Sequence, residues 1–322
     1  MPFPRRLKVG LALGGGAARG LAHIGVVRAL LRERIPIDVV TGTSMGAIVG
    51  GAYAASGNIA GVEAALRQVL GSDQFRRTRL SFLKESRHHR GGLMYSVSRL
   101  VRQGIVYGVS TMRPSFVSAE EFQASVQAIL PDRAIESLPT VFGCVALDLE
   151  NAEEVVFSRG SLRDAAAASS AIPGLFPARR MGKRLLVDGG WIDKVPVLPA
   201  YRLGADVTIG VDISADLEAS HELGRGVDVM IRANAMKDIA LTGFQRRFAD
   251  VLLEPSVQHV HWADFDQADY CITAGDLAAT AAAPGIRALL RRERWRALFR
   301  RSPGRRHAEY HLSRSDLRFV VE

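Results

Sequence analysis

Three short stretches carry residue types that can do chemistry together. In Gly42-Thr43-Ser44-Met45-Gly46 a serine has a glycine two residues to either side, between a β-branched apolar run (37–43) and a run of small residues (45–56). If the strand folds sharply into the helix, those glycines relieve the crowding and the hydroxyl stands at the strand's C-terminal end. A serine hydroxyl is a poor nucleophile until a base takes its proton. The second stretch, Gly14-Gly15-Gly16, follows the apolar run 7–13 and precedes the helix-forming run 21–35. Consecutive glycines let a ligand approach the backbone, and a helix N-terminus offers unpaired N–H groups with partial positive charge. That combination is an anion site, for a phosphate or for a developing oxyanion. The third, Asp188-Gly189-Gly190, ends the apolar run 184–188. A carboxylate held half-desolvated beside a hydroxyl can act as its general base, provided burial raises its basicity. The same three residues also read as a tight turn joining two strands.

Other chemistries fit less well. The dinucleotide fingerprint G-x-G-x-x-G fails, because after Gly14 and Gly16 the third glycine position holds Arg19, and Gly20 comes one residue late. No Gly-Lys-Ser/Thr follows, so the loop is not of the nucleoside-triphosphatase kind. A Ser–acid–His triad could draw on His221, His259, His261, His307 or His311. The elbow of an α/β-hydrolase, however, follows several strands, whereas one strand precedes that of Ser44. Cys144 and Cys271 have neither disulfide nor metal spacing and read as buried reduced thiols. No metal and no cofactor is expected.

The elements that must position these residues alternate in type. Strands are predicted over 7–13, 37–43, 140–149, 153–160, 184–191, 205–213 and 249–255. Helices are predicted over 21–35, 45–56 with continuation through 57–71, 119–130, 161 to Pro173, and 227–248. Strand–glycine turn–helix, repeated, is the order of an α/β fold with a parallel sheet, whose ligands sit at the C-terminal strand ends. The segment 75–115 mixes basic and scattered apolar residues and reads as an irregular cap over the site.

Taken together, Gly14–Gly20 ("GGGAARG"), Gly42–Gly46, the segment "ASSAIPGLFPA" (168–178) and Asp188–Gly190 stand in the order and spacing of the patatin-like phospholipases. The chain resembles that family from about residue 7 to 200. The resemblance implies a three-layer α/β/α fold with a mostly parallel central sheet. It implies a serine–aspartate acyl hydrolase without histidine or calcium, in which Ser44 is the nucleophile and Asp188 the general base. Backbone N–H groups of Gly14, Gly15 and Gly16 would form the oxyanion hole, with that of Met45 added by analogy with other elbows. Some members of the family have glycine where Arg19 stands; Arg19 is expected to brace the loop or to meet a lipid phosphate. The implied substrate is a lipid acyl ester. A lipid-binding regulator with an idle site is the alternative.

On this reading residues 7–200 form the hydrolase core, 201–285 complete the same globule, and 286–322 form an arginine-rich tail. The chain has 322 residues, 48% of them hydrophobic, and a net charge of +9. Eleven arginines and four acids lie from Arg287 onward, which is +7 of that total. The tail suits peripheral contact with an anionic membrane, and the run 284–301 reads as an interfacial helix with Ile286, Leu289, Leu290 and Ala297 on one face. No nucleic acid is expected, and the sequence assigns no oligomeric state. No run of 18 apolar residues occurs, and the N-terminus reads as a strand rather than a leader. The expected location is cytoplasmic, at most peripheral at the inner membrane face.

Overall fold

Strands covered on both faces need near-continuous apolar runs, and the first such run, Val9–Leu13, is wholly buried. The computed structural model describes residues 6–73, 75, 115, 117–214, 226–299 and 319–321. In chain order the elements are β1 (Val9–Leu13), α1 (Ala22–Arg32), β2 (Val39–Thr43), α2 (Met45–Ser56), α3 (Ile59–Gly71), α4 (Ala119–Ile129), β3 (Val141–Asp148), β4 (Glu153–Phe157) and α5 (Leu162–Ser169). They continue with β5 (Arg179–Met181), β6 (Arg184–Asp188), α6 (Val197–Arg202), β7 (Val207–Val211), α7 (Gly226–Gln245), β8 (Val251–Leu253), α8 (Ala268–Phe299) and β9 (Phe319–Val321).

The strands form one sheet in the order β5-β6-β3-β2-β1-β7-β8, with β4 on β3 and β9 on β4. The pairings β3–β2, β2–β1, β1–β7 and β7–β8 are parallel. Side chains alternate across it. Val9, Leu11 and Leu13 enter the main core beside Val27 and Val49, from α1 and α2. Ala12 faces the other way, onto Val195 and Val197, and Val39 onto Ala200 and Ala205. Helices therefore cover both faces, as an α/β/α arrangement requires.

One detail of pairing decides where the chemistry can occur. Along one edge, β3 pairs with β2 up to Thr43 opposite Val145. From the next residue the same edge pairs with β6, antiparallel, with Asp188 opposite Ala146. The opposite edge of β3 is occupied by β4 over Cys144–Asp148. Strands β2 and β6 thus run toward each other and end head-on, one β3 residue apart, a rise of about 3.4 Å.

Several boundaries differ from the sequence reading. The helix expected to run on through 57–71 breaks at Gly57, which is left-handed (φ 65°), and restarts at α3, where the Asn58 side chain accepts the Gly61 N–H. Helix α5 ends at Ser169, short of Pro173, and β5 is an additional strand. The tail boundary drawn at 285 falls inside a single helix, α8. Ile286 and Leu290 are buried in the core, so the face assigned to a membrane is spent on the protein itself, while Trp295 is exposed. The expected cap over 75–115 lies outside the described residues except for Phe75 and Ser115. Among the described residues no helix is long and apolar enough to cross a membrane.

Helix α8 crosses α1 at glycines. A Cβ on Gly275 would overlap the Ala22 carbonyl, and one on Gly25 the Ile272 carbonyl. Arg28 and Arg32 of α1 then reach Asp276 at 3.1 and 2.9 Å. Gly275→Val is expected to cost about 3 kcal/mol by forcing the helices apart. Gly285→Ala, on the same helix with open space around it, is expected to add up to about 1 kcal/mol through helix propensity. Urea unfolding of the two variants checks both signs.

Candidate active site

Ser44 stands where β2 stops and α2 starts. Its backbone has φ 56° and ψ −122°, a region that side-chain-bearing residues rarely adopt. Holding it costs about 1–3 kcal/mol, and such strain concentrates at functional sites. Both flanking glycines are required by contact. A Cβ on Gly42 would overlap the Gly46 carbonyl, and one on Gly46 the Leu13 carbonyl. The strained turn is anchored from outside. The Ser44 N–H donates to Ser169 Oγ at 3.0 Å, and the Thr43 hydroxyl to the Asp193 carbonyl at 2.8 Å.

Asp188 arrives from the opposing strand end. Its carboxylate lies beside Ser44, whose hydroxyl lowers the carboxyl's pKa, and accepts the Gly190 N–H at 2.7 Å. Its own N–H donates to the Ala171 carbonyl at 3.0 Å. A Cβ on Gly189 would overlap the Val145 carbonyl, so the chain leaves Asp188 only through glycine. Gly189–Trp191 form a turn of 3-10 helix, in place of the two-strand hairpin that the same residues could have made. Burial pushes the Asp188 carboxyl up to about 6, against the pull of the Ser44 and Gly190 hydrogen bonds and of Lys194. Lys194 is itself pushed below the ordinary lysine range by burial and by Arg19.

The glycine loop lies beside Ser44, but two of its N–H groups are committed elsewhere. Gly14 donates to the Val211 carbonyl at 3.1 Å and Gly15 to the Lys194 carbonyl at 2.9 Å. The expectation that these two face an oxyanion is therefore corrected: they suspend the loop from β7 and from the segment after Asp188. Among the described residues, the N–H groups of Gly16 and of Met45, the first residue of α2, have no protein acceptor. The loop is braced further by His23, whose Nε2 lies 2.7 Å from the Gly14 carbonyl. Burial lowers the His23 imidazole to about 4. The ring is therefore neutral and donates from Nε2. Arg19 is buried, its N–H donates to the Gly16 carbonyl at 3.1 Å, and it does not line the cavity described next.

That cavity reaches Ser44 and runs between α2, α3 and α4. Its walls are apolar, with Leu66, Phe75, Phe122, Ile129 and Phe265 among them. Ser125, also in the wall, has its hydroxyl spent on the Glu121 carbonyl. His259 and His261 do not line it, and His221, His307 and His311 lie outside the described residues. Among the described residues no group of three or more His, Cys, Asp or Glu side chains is placed to hold a metal ion.

Sequence reasoning left His23, Ser169 and Lys194 unassigned. Ser169 lay inside a quoted motif, but its partner, 125 residues away, is set by tertiary structure. A histidine two residues before a glycine within an apolar run was the only signal for His23.

A family model described as patatin-like phospholipase matches residues 11–201. An uncharacterized NTE family protein of Mycobacterium tuberculosis is 35% identical over 222 residues, covering 66% of this chain and 53% of that protein. Lysophospholipase NTE1 of Debaryomyces hansenii is 31% identical over 207 residues, covering 64% of this chain and 12% of that protein. The chain thus spans about half the length, or less, of these curated relatives. The crystal structure of VipD from Legionella pneumophila aligns with a TM-score of 0.45 and 14% identity, over 87% of this chain and 67% of that one. With its motifs in order, its elbow at a parallel strand end and a family match over more than half its length, the chain belongs to the patatin-like phospholipase family.

Proposed function

We propose that the protein hydrolyses lipid acyl esters through a Ser44–Asp188 dyad. The observation that carries this reading is the buried Asp188 carboxylate held beside Ser44 on its strained turn, next to an apolar cavity. Asp188 takes the Ser44 proton as the hydroxyl attacks the ester carbonyl. The oxyanion sits against the Gly16 and Met45 N–H groups, where each donor contributes about 100–1,000-fold in rate. The tetrahedral adduct expels the alcohol, which leaves with the proton held by Asp188. Asp188 then deprotonates a water that attacks the acyl-enzyme, releasing the fatty acid and regenerating Ser44. The apolar cavity beside Ser44 holds the acyl chain. The lysophospholipase name of the yeast relative supports a lipid ester as substrate.

Fatty-acid release from monoacyl phosphatidylcholine and from a p-nitrophenyl ester series tests the reading. Turnover is expected for wild type and absent for Ser44→Ala. Wild-type turnover no faster than the variant's would leave a lipid-binding protein with an idle site. Within the series, Ile129→Trp fills part of the cavity and is expected to move the optimum to shorter chains. The expected loss in kcat/KM on the longest efficient ester is about tenfold.

A further inference from the structure

The short segment Ser169–Ala171 is held at both ends by the reacting groups. Ser169 Oγ accepts the Ser44 N–H at 3.0 Å, and the Ala171 carbonyl accepts the Asp188 N–H at 3.0 Å. Between them, Ser170 is 8% exposed and lines the apolar cavity. Among the described residues its buried Oγ has no hydrogen-bond partner. Of the other hydroxyls in that wall, Ser44 faces the Asp188 carboxylate and Ser125 donates to the Glu121 carbonyl. A buried hydroxyl without a partner is unfavourable in the free protein. The cost is recovered when a ligand supplies the missing partner.

Position narrows what that ligand group is. Ser170 sits in the wall between nucleophile and base, so it meets the first carbons of an acyl chain whose carbonyl lies at Ser44. A plain alkyl chain offers it nothing there. A hydroxyl on the second or third acyl carbon both donates and accepts, as the serine does. We propose that Ser170 is a specificity-determining residue that selects acyl chains hydroxylated close to the scissile carbonyl, 2- or 3-hydroxyacyl esters, over unsubstituted ones. The proposal rests on the acyl-hydrolase reading of the same site. It adds no step to the chemistry, since the substrate hydroxyl is neither formed nor consumed.

The test is a matched set of glycerol monoesters, octanoyl, 2-hydroxyoctanoyl and 3-hydroxyoctanoyl, with acid release followed for wild type, Ser170→Ala and Ser44→Ala. Wild type is expected to favour one of the hydroxyacyl esters about tenfold in kcat/KM, and Ser170→Ala to bring that ratio close to one. Equal wild-type rates on all three esters would overturn the proposal while leaving the hydrolase reading intact. So would a Ser170→Ala loss shared equally among them, the mark of a structural role. The wild-type ratio alone decides the matter if the variant does not fold. Wild-type rates no higher than those of Ser44→Ala on every ester would overturn both readings together.

Discussion

Ser44→Ala is expected to lower kcat/KM for acyl esters by about 10⁵-fold or more, to the level left by binding and oxyanion stabilisation alone. The size follows from the position of the hydroxyl. Among the described residues lining the cavity, it is the one hydroxyl set on a strained turn beside a buried carboxylate. On the proposed mechanism, deleting it removes the covalent route. The strain gives the substitution a second readout. Ser44→Gly removes the same hydroxyl but also the Cβ that makes φ 56° unfavourable. That variant is expected to be as inactive as Ser44→Ala and more stable than it by about 1 kcal/mol. Ester turnover with urea unfolding of both variants separates chemistry from backbone strain.

Asp188→Asn is expected to reduce kcat by about 10³–10⁴-fold. The amide can still accept the Gly190 N–H, so the turn survives, but it cannot take a proton from Ser44. In wild type, kcat/KM should rise tenfold per pH unit below about 6 and level off above it, because burial places the Asp188 carboxyl near that value. The linkage to stability has the opposite sense. Asp188 is raised from 3.8 to about 6 in the folded state, so the native protein binds the proton more tightly than the unfolded chain. The ionised carboxylate is then a cost to folding above pH 6, and that cost fades between pH 6 and 4. Asp188→Asn is accordingly expected to be more stable than wild type at pH 8, on the order of 2 kcal/mol, with the difference shrinking toward pH 4. Loss of activity with gain of stability is hard to obtain from a general packing defect.

Ser44 and Asp188 were legible as candidates in the sequence because each needs a local signature. The elbow needs glycine at 42 and 46 against neighbouring carbonyls, and the strand end needs glycine at 189 for the same reason. That they meet was not legible in either motif. It depends on β2 and β6 ending at adjacent residues on one edge of β3. The oxyanion donors were read too broadly for a related reason. The three glycines in a row mark a loop that a ligand can approach, yet the Gly15 and Gly14 N–H groups are directed by acceptors from Lys194 and Val211, about 180 and 200 residues on. At the other end of the chain, the arginines after residue 285 read as a tail suited to an anionic membrane. Ile286 and Leu290 sit four apart on one face of α8 and enter the core. Their neighbour Arg287 pairs with Glu33 at 2.5 Å. A charge run and a packed amphipathic helix have the same composition, and only the neighbouring surface of α1 distinguishes them.

The most direct measurement of the proposed dyad is covalent labelling by an alkyl fluorophosphonate, with the modified residue located by peptide mass spectrometry and the rate followed from pH 4.5 to 8.5. The expected adduct is on Ser44, forming with a rate that climbs to a plateau around pH 6 and falls by several orders of magnitude in Asp188→Asn. An adduct on any other residue, or undiminished labelling of Ser44 in Asp188→Asn, would contradict the assignment of Asp188 as the base for Ser44.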